Sequence, residues 1–248
     1  MDKERLKVIN SDMMKYIAII PMAIGHFVSY MNTAGIIKEM SWWMNILAFS
    51  SLFAPIVFFF FIAEGFKYTH SKKKYALRLL VFACITQIPY CLVCNGTLVT
   101  KELFLNTNVI FTLFFGLVAL IVWENKWTLK ARVITIILID VLTCVFGCEW
   151  MIFGVLIMLG IHVFRDNAKA RFIWVFVSIF CLNFILNGFF LSMTFWVGML
   201  VQLFAYFLMV TCYNGKKGKH PKIAKWFFYI FYPLHLIVIY IAQIMLAG

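Results

Sequence analysis

The stretch MMKYIAIIPMAIGHFVSYM, residues 13–31, holds one cation and one histidine in a largely apolar run. Lys15 and His26 are eleven residues apart, which on an α-helix is almost three whole turns, or roughly 16 Å along the axis. Both side chains therefore lie on one face of the helix. Because ionisable groups are costly in hydrocarbon, this face points to a polar interior. The stretch predicts a membrane helix with a cation at its edge and an imidazole at mid-depth.

The whole chain has the composition of a membrane protein. Of its 248 residues, 64% are hydrophobic and 13% are charged, which excludes a soluble domain. We predict an all-α, polytopic integral membrane bundle with a single domain over residues 1–248. The apolar runs give about nine transmembrane helices, near 13–31, 44–66, 76–95, 108–123, 131–147, 150–164, 171–188, 192–212 and 226–247. The fourth to sixth runs are short of the roughly 20 residues of a full crossing, so they tilt, line a funnel or do not cross fully.

Loop charge predicts the orientation of these helices. Every second loop is basic, and Lys and Arg favour the cytoplasmic side. The basic stretches are the N-terminus with Lys3 and Arg5, and residues 67–78, 126–132, 165–171 and 216–225. We therefore expect a cytoplasmic N-terminus and an outer C-terminus. The net charge of +12 fits this sorting and attraction to anionic membrane lipid, and requires no nucleic acid. It also fits attraction of a phosphorylated cosubstrate.

Besides Lys15, four ionisable residues of the apolar runs are candidates for a functional site. His26 and His235 are each about ten residues from the cytoplasmic edge of their helices, so their depths match. Asp140 is also deep, and Glu64 lies one turn before Lys67. Each has two interpretations. The histidines are either functional or hydrogen-bonded packing residues, Asp140 either orients an imidazole or pairs structurally, and Glu64 either acts in a site or pairs locally.

The segment FFFFIAEGFKYTHSKKKYALRLLVFA, residues 58–83, with Gln87-Ile88-Pro89-Tyr90 after it, resembles the TraX family of membrane proteins. The resemblance extends to residues 15–26, 108–113, 149–156 and 232–235, and so covers nearly the whole chain. The Lys15 to His26 spacing is also similar to the first-helix motif of the large membrane acyltransferase family that O-acetylates surface polysaccharides. One departure is Gly25, where many TraX relatives have Asp, so any orienting carboxylate comes from elsewhere.

The resemblance implies an acetyltransferase that uses acetyl-CoA as cosubstrate and no metal. The second likeness, to the membrane acyltransferase family, makes Lys15 by position a ligand of the coenzyme phosphates and His26 the catalytic base, or less favourably a carrier of the acetyl group. We expect help with the phosphates from Arg78, Lys72, Lys73 and Lys74. His235 is a second catalytic candidate. Candidates for positioning the acceptor or supporting the site are Asn108, Thr112, Glu64, Asp140 and Tyr232.

The expected acceptor is an amine, as the family's named member acetylates the N-terminus of a conjugative pilin. Partners would be acetyl-CoA, a peptide, pilin or envelope acceptor, and membrane lipid, in the inner (cytoplasmic) membrane of a cell. Two alternatives stay open. One is an O-acetyltransferase of a surface polysaccharide or lipid, which shares the donor chemistry. The other is a non-enzymatic membrane carrier or scaffold.

Overall fold

A computed structural model describes residues 6–98, 100–187 and 192–247, and these form helices and loops with two isolated β-bridges. The all-helical prediction is confirmed for these residues. Among the described residues, each predicted apolar run contains at least one helix. The eleven helices of the described residues are α1 (Ser11–Thr33), α2 (Trp42–Ser50), α3 (Phe53–Tyr68), α4 (Lys72–Asn95), α5 (Glu102–Leu105), α6 (Val109–Trp123), α7 (Leu129–Val145), α8 (Met151–Val163), α9 (Ala168–Asn187), α10 (Met193–Cys212) and α11 (Pro221–Ala247).

Six segments of the described chain are long and apolar enough to cross a membrane: α1, α2 with α3, α4, α9, α10 and α11. The α2–α3 segment is interrupted by a turn at residues 51–52. Helices α6 and α8 are apolar but have only 15 and 13 residues. They are about 22 and 20 Å long, less than the roughly 30 Å of a hydrocarbon core. The chain is thus a multi-pass membrane protein, while the count of nine crossings stays a prediction.

The described residues divide into two compact units, each considered by itself below. Unit 1 comprises residues 1–58, 93–96 and 183–248, and unit 2 comprises residues 59–92 and 97–182. Of unit 1, only the described residues are discussed. The prediction of a single domain stays a prediction.

In unit 1, α1 packs closely against α2 and also against α11. The closest approach to α2 is at Gly25, where a Cβ atom would lie 2.7 Å from the backbone nitrogen of Ser51 and 2.8 Å from the carbonyl oxygen of Leu47. Both neighbours are backbone atoms, which cannot rotate away as a side chain can. Any side chain at position 25 would therefore push the helices apart. This packing explains why His26 follows a glycine here.

In unit 2, the short helices α6, α7 and α8 pack against one another. Small residues allow this contact. Gly154 on α8 faces the side-chain methyl of Thr112 on α6, and Gly160 faces the ring of Trp174 on α9. The Trp174 indole donates a hydrogen bond to the carbonyl of Leu156 at 2.8 Å. The buried sides of α6 and α8 thus form the core of unit 2.

Loops that the charge pattern assigns to one membrane side contact one another within each unit. In unit 1, Ile9 bridges to Tyr213, and the Ser11 amide donates to the Lys216 carbonyl at 2.9 Å. In unit 2, His162 lies 2.7 Å from Glu124. Thr107 bridges to Cys148 between two loops predicted to lie outside. These contacts support the alternation of sides, while the assignment of one side to the cytoplasm stays a prediction. Lys3 and Arg5 lie outside the described residues.

Candidate active site

The first and last helices bring two imidazoles together. His26 on α1 and His235 on α11 are 209 residues apart in the chain, yet His26 Nδ1 lies 2.9 Å from His235 Nε2. The two rings are nearly parallel, with their centroids 5.2 Å apart. His235 is buried and His26 is half-buried. The matching depths inferred from the sequence thus correspond to a direct contact.

The hydrogen bonds assign a proton to each ring of this imidazole pair, His26 and His235. His235 Nδ1 lies 3.2 Å from the carbonyl oxygen of Phe231, one helical turn earlier. A carbonyl can only accept, so His235 Nδ1 carries the hydrogen, and the Nε2 of a neutral ring is then an acceptor. His26 Nδ1 must donate to it. This assignment leaves the lone pair of His26 on Nε2, which is therefore the ring nitrogen able to accept a proton.

Aromatic rings surround the imidazole pair. The Phe231 ring is stacked on His235 with centroids 5.4 Å apart, and Tyr30 lies 5.5 Å from His26. Tyr232, predicted to support the site, lies 5.1 Å from His235 and 6.3 Å from His26. The structure therefore brings this candidate to the pair. Its aromatic neighbours hold the two imidazoles in place and limit the water around them.

A glutamine near the end of α11 fixes the helices around the pair. The Gln243 amide donates to the carbonyl of Tyr30 at 2.9 Å and to that of Val93 at 3.1 Å. One side chain therefore joins α1, α11 and the end of α4 within unit 1. These hydrogen bonds restrict sliding of α11 along α1. The distance between the two imidazoles depends on the relative position of these two helices.

Lys15 also faces α11. Its Nζ lies 5.6 Å from the centre of the Phe228 ring, and the side chain is half-buried. Lys15 and His26 thus both lie against α11, while the polar interior predicted along this face stays a prediction. Next to them, Tyr16 packs on Phe227 and Phe228. The passage for a coenzyme along this face stays a prediction.

Comparison with known proteins agrees with the resemblance of the sequence. The family model described as "TraX protein" matches residues 10–243. The chain belongs to the TraX family. It is also similar to the probable fimbrial assembly protein FimC, serogroup H1, of Dichelobacter nodosus, with 28% identity over 245 residues, 94% of this chain and 95% of that protein. No solved structure matches the chain.

The other predicted coenzyme ligands of this TraX protein lie in unit 2, whereas Lys15 lies in unit 1. Arg78 is half-buried, with its guanidinium carbon 5.6 Å from the centre of the Tyr75 ring. Lys72 Nζ lies 3.8 Å above the Phe66 ring. Lys73 and Lys74 are exposed. Their joint role with Lys15 stays a prediction.

Asn108 has the geometry of a structural residue. It is fully buried and caps α6, its Oδ1 accepting from the Ile110 amide at 3.0 Å. Its Nδ2 donates to the Ala83 carbonyl at 3.0 Å and to Gln87 Oε1 at 2.8 Å. Thr112 is also fully buried, and its hydroxyl has no hydrogen-bond partner among the described residues. A role of either residue toward an acceptor stays a prediction.

The two acidic candidates lie in unit 2. Asp140 is half-buried on α7, and its Oδ1 has no hydrogen-bond partner among the described residues. Glu64 lines a recess together with Lys67 and Arg165. Both acidic residues lie outside unit 1, in which His26 contacts His235 and His235 in turn contacts the Phe231 carbonyl. The roles proposed for Asp140 and Glu64 stay predictions.

Two ionisable groups in loops were not singled out from the sequence. Burial raises the pKa of Glu149 to about 7, although hydrogen bonds to the Tyr90 side chain and the Val109 backbone oppose this effect. The hydrogen bond from His162 lowers the pKa of Glu124. The sequence signals for Glu149 were its position in a short loop directly before Trp150 and its place at the start of the resembling stretch 149–156.

Proposed function

We propose that this TraX protein transfers an acetyl group from acetyl-CoA to an N-terminal amine of a pilin or fimbrial subunit. The observation that carries the proposal is the imidazole pair, in which His235 and the Phe231 carbonyl orient His26 as a base. Family membership supports the chemistry. The relative named as a fimbrial assembly protein supports a filament subunit as the acceptor.

In the proposed step, the amine nitrogen attacks the thioester carbonyl carbon of acetyl-CoA. His26 Nε2 removes the proton that the amine loses as the new carbon–nitrogen bond forms. The carbon–sulfur bond then breaks, and the coenzyme thiolate takes this proton from His26 Nε2 to leave as the free thiol, which returns His26 to its neutral form. His235 contributes by accepting a hydrogen bond from His26 Nδ1. This bond holds the His26 ring and stabilises the positive charge that His26 gains with the proton. The products are an acetylated amine and coenzyme A.

Lys15 is proposed to hold a phosphate of the coenzyme near the membrane edge. It lies on the same face of α1 as His26, about 16 Å away along the helix, and Phe228 limits its movement. A flexible thioester arm can span this distance. The proposed orientation has the N-terminus in the cytoplasm of the cell, where acetyl-CoA is made, and nine crossings of the inner membrane.

The name of the relative also favours a second candidate, a non-enzymatic scaffold for fimbrial assembly. A scaffold would hold filament subunits without binding acetyl-CoA. In that case the imidazole pair would only join α1 to α11. The two candidates therefore differ in whether the purified protein binds and consumes acetyl-CoA.

The test uses the purified chain in lipid nanodiscs with deuterated acetyl-CoA and a pilin-like peptide that has a free N-terminus. We expect mass spectrometry to find the labelled acetyl group on the N-terminal nitrogen. The rate of transfer by the H26A variant should be at least about 100-fold lower than that of the wild-type protein, which is the usual contribution of a general base. The matched control is H220A, since His220 is exposed in a loop.

Three outcomes decide between the candidates. Transfer by H26A at the wild-type rate contradicts the role of His26. Absence of both transfer and acetyl-CoA binding in the wild-type protein favours the scaffold. Transfer to a serine hydroxyl in a peptide with a blocked N-terminus, but not to a free amine, would replace the proposed acceptor by a hydroxyl.

A further inference from the structure

Unit 2 contains a recess that has no role in the proposed reaction. Its volume is about 150 Å³, and it lies where the ends of α3 and α8 meet the loop and first turn leading into α9. A water molecule takes about 30 Å³ of liquid, so the recess has room for a group of several heavy atoms. Its polar lining consists of Glu64, Lys67, Tyr68, Arg165 and Arg171.

The lining has an excess of positive charge. Two arginines and one lysine face a single carboxylate, Glu64, so a net charge of about two remains whichever cation Glu64 pairs with. Apolar side chains such as Ile161 form part of the wall. Cations beside a low-dielectric wall attract an anion more strongly than they would in open solvent.

Both arginines have hydrogen-bond partners that hold them in place. Arg171 Nη1 donates to the carbonyl oxygen of Arg165 at 3.2 Å, which closes the loop before α9. Arg165 Nη2 lies 3.2 Å from His162 Nδ1, and the other nitrogen of His162 lies 2.7 Å from Glu124. Ordering of these side chains in advance lowers the entropy that a ligand loses on binding.

We propose that this recess is a binding site for a phosphate group. The planar guanidinium forms paired hydrogen bonds to phosphate oxygens, which makes arginine the preferred partner of this anion. Lys67 adds a third cation, held 5.4 Å from the centre of the Tyr68 ring. The phosphate belongs either to a soluble ligand such as coenzyme A or to the headgroup of an anionic lipid.

The proposal goes beyond acetyl transfer and does not depend on it. It concerns only residues of unit 2, and its test measures binding. If the ligand is coenzyme A, Arg165 and Arg171 add a phosphate site to those expected from the sequence. If the ligand is a lipid, the recess anchors the ends of three helices to the membrane surface.

The experiment uses the full chain in phosphatidylcholine nanodiscs. One arm measures affinity for coenzyme A by calorimetry, and the other measures retention of phosphatidic acid by native mass spectrometry. For the ligand that occupies the recess, either coenzyme A or phosphatidic acid, we expect R165A to weaken binding by about tenfold or more and K67A by about threefold. The charge-assisted bond of an arginine to a phosphate is stronger than that of a lysine. The matched control is K169A, which removes an exposed charge in the first turn of α9 and should change affinity by less than about twofold.

Each outcome has a meaning. Loss of coenzyme A binding in R165A identifies a soluble ligand, and loss of phosphatidic acid retention identifies a lipid. The proposal is overturned if the wild-type protein binds neither, or if K169A weakens binding as much as R165A does. K67A keeps the test informative if R165A does not fold, since Lys67 makes no backbone contact that closes a loop. Failure of acetyl transfer with phosphate binding intact would contradict only the proposed function.

Discussion

The imidazole pair of unit 1 and the amide cluster of unit 2, which we define as Gln87, Asn106 and Asn108, are both polar chains among apolar helices. They end differently. In the amide cluster, Gln87 Nε2 donates to the Asn106 carbonyl at 2.7 Å, and Gln87 Oε1 accepts from the Asn108 amide at 3.1 Å. In the imidazole pair, the chain starts at the Phe231 carbonyl and, among the residues that the structure describes, ends at the lone pair of His26 Nε2.

Under the proposed function, this difference separates a structural network from a reactive one. A buried network in which donors meet acceptors stabilises the fold and holds one geometry. A network that ends in an unshared lone pair also offers a base to a substrate. Changes in the amide cluster should therefore alter stability, and changes in the imidazole pair should alter turnover. The four predictions below test this contrast, from the largest expected effect to the smallest.

Glu149, next to the amide cluster through Tyr90, should make stability depend on pH. Its folded pKa of about 7 lies above the usual value of 4.5, so the folded state binds the proton more tightly. The free energy of unfolding therefore falls as the pH rises between these values, by roughly 3 kcal/mol at most. E149Q should remove this dependence, measured as the thermal midpoint from pH 4.5 to 8. The control is E39Q, at an exposed loop carboxyl, and the same slope in E149Q would refute the assignment.

His235 should affect turnover as a positioning residue. H235F keeps an aromatic ring but removes the acceptor for His26, so we expect the kcat of acetyl transfer to fall by about 100-fold with little change in the KM for acetyl-CoA. H235Q, whose amide oxygen can accept the same hydrogen, should recover part of the loss. If H235F and H235Q are equally impaired, or if KM changes rather than kcat, His235 has another role.

Asn108 should affect stability. N108A removes the cap of α6 and two buried hydrogen bonds, which should cost about 2 kcal/mol of unfolding free energy. Turnover per folded molecule should stay at the wild-type level. The control N125A changes an exposed asparagine just after the end of the same helix. A large loss of turnover without loss of stability would instead support the role in acceptor positioning that the sequence predicted.

Lys15 should have the smallest effect, on coenzyme binding. K15A is expected to raise the KM for acetyl-CoA by about tenfold at an unchanged kcat, since it removes one charged contact to a phosphate. K15R should retain most of the affinity. K38A is the control, because Lys38 is exposed in a loop predicted to lie outside. A KM that is unchanged in K15A would count against this role.

The sequence predicted much of the fold and the centre of the site. Apolar runs identified the helical segments, because hydrocarbon demands long runs with satisfied backbones. Helical periodicity placed Lys15 and His26 on one face, and equal depths related His26 to His235. The break at Ser51 was not predicted, since turn and helix are close in energy for such a run. The sequence also showed that α6 and α8 are short, but it did not show that these two helices pack against each other at Gly154.

Other features depend on distances that one sequence does not contain. The sequence left the source of any orienting carboxylate open, and the structure shows His26 in contact with His235, which contacts the Phe231 carbonyl. Gly25 is explained by the backbone of α2. Asn108 was selected as a polar residue in an apolar run, but its hydrogen bonds are those of a helix cap. Arg165 and Arg171 appeared only as charges of a loop, because a recess forms from three separate segments.

The most direct test of the account is a double-mutant cycle between His26 and His235 in acetyl transfer. If His235 acts only through its hydrogen bond to His26, the H26A/H235F double variant should be no slower than H26A alone. The sum of the two single losses, expressed as free energies, would then exceed the loss in the double variant. Losses that simply add would show that the two imidazoles act independently, and would contradict the assignment of His26 as a base oriented by His235.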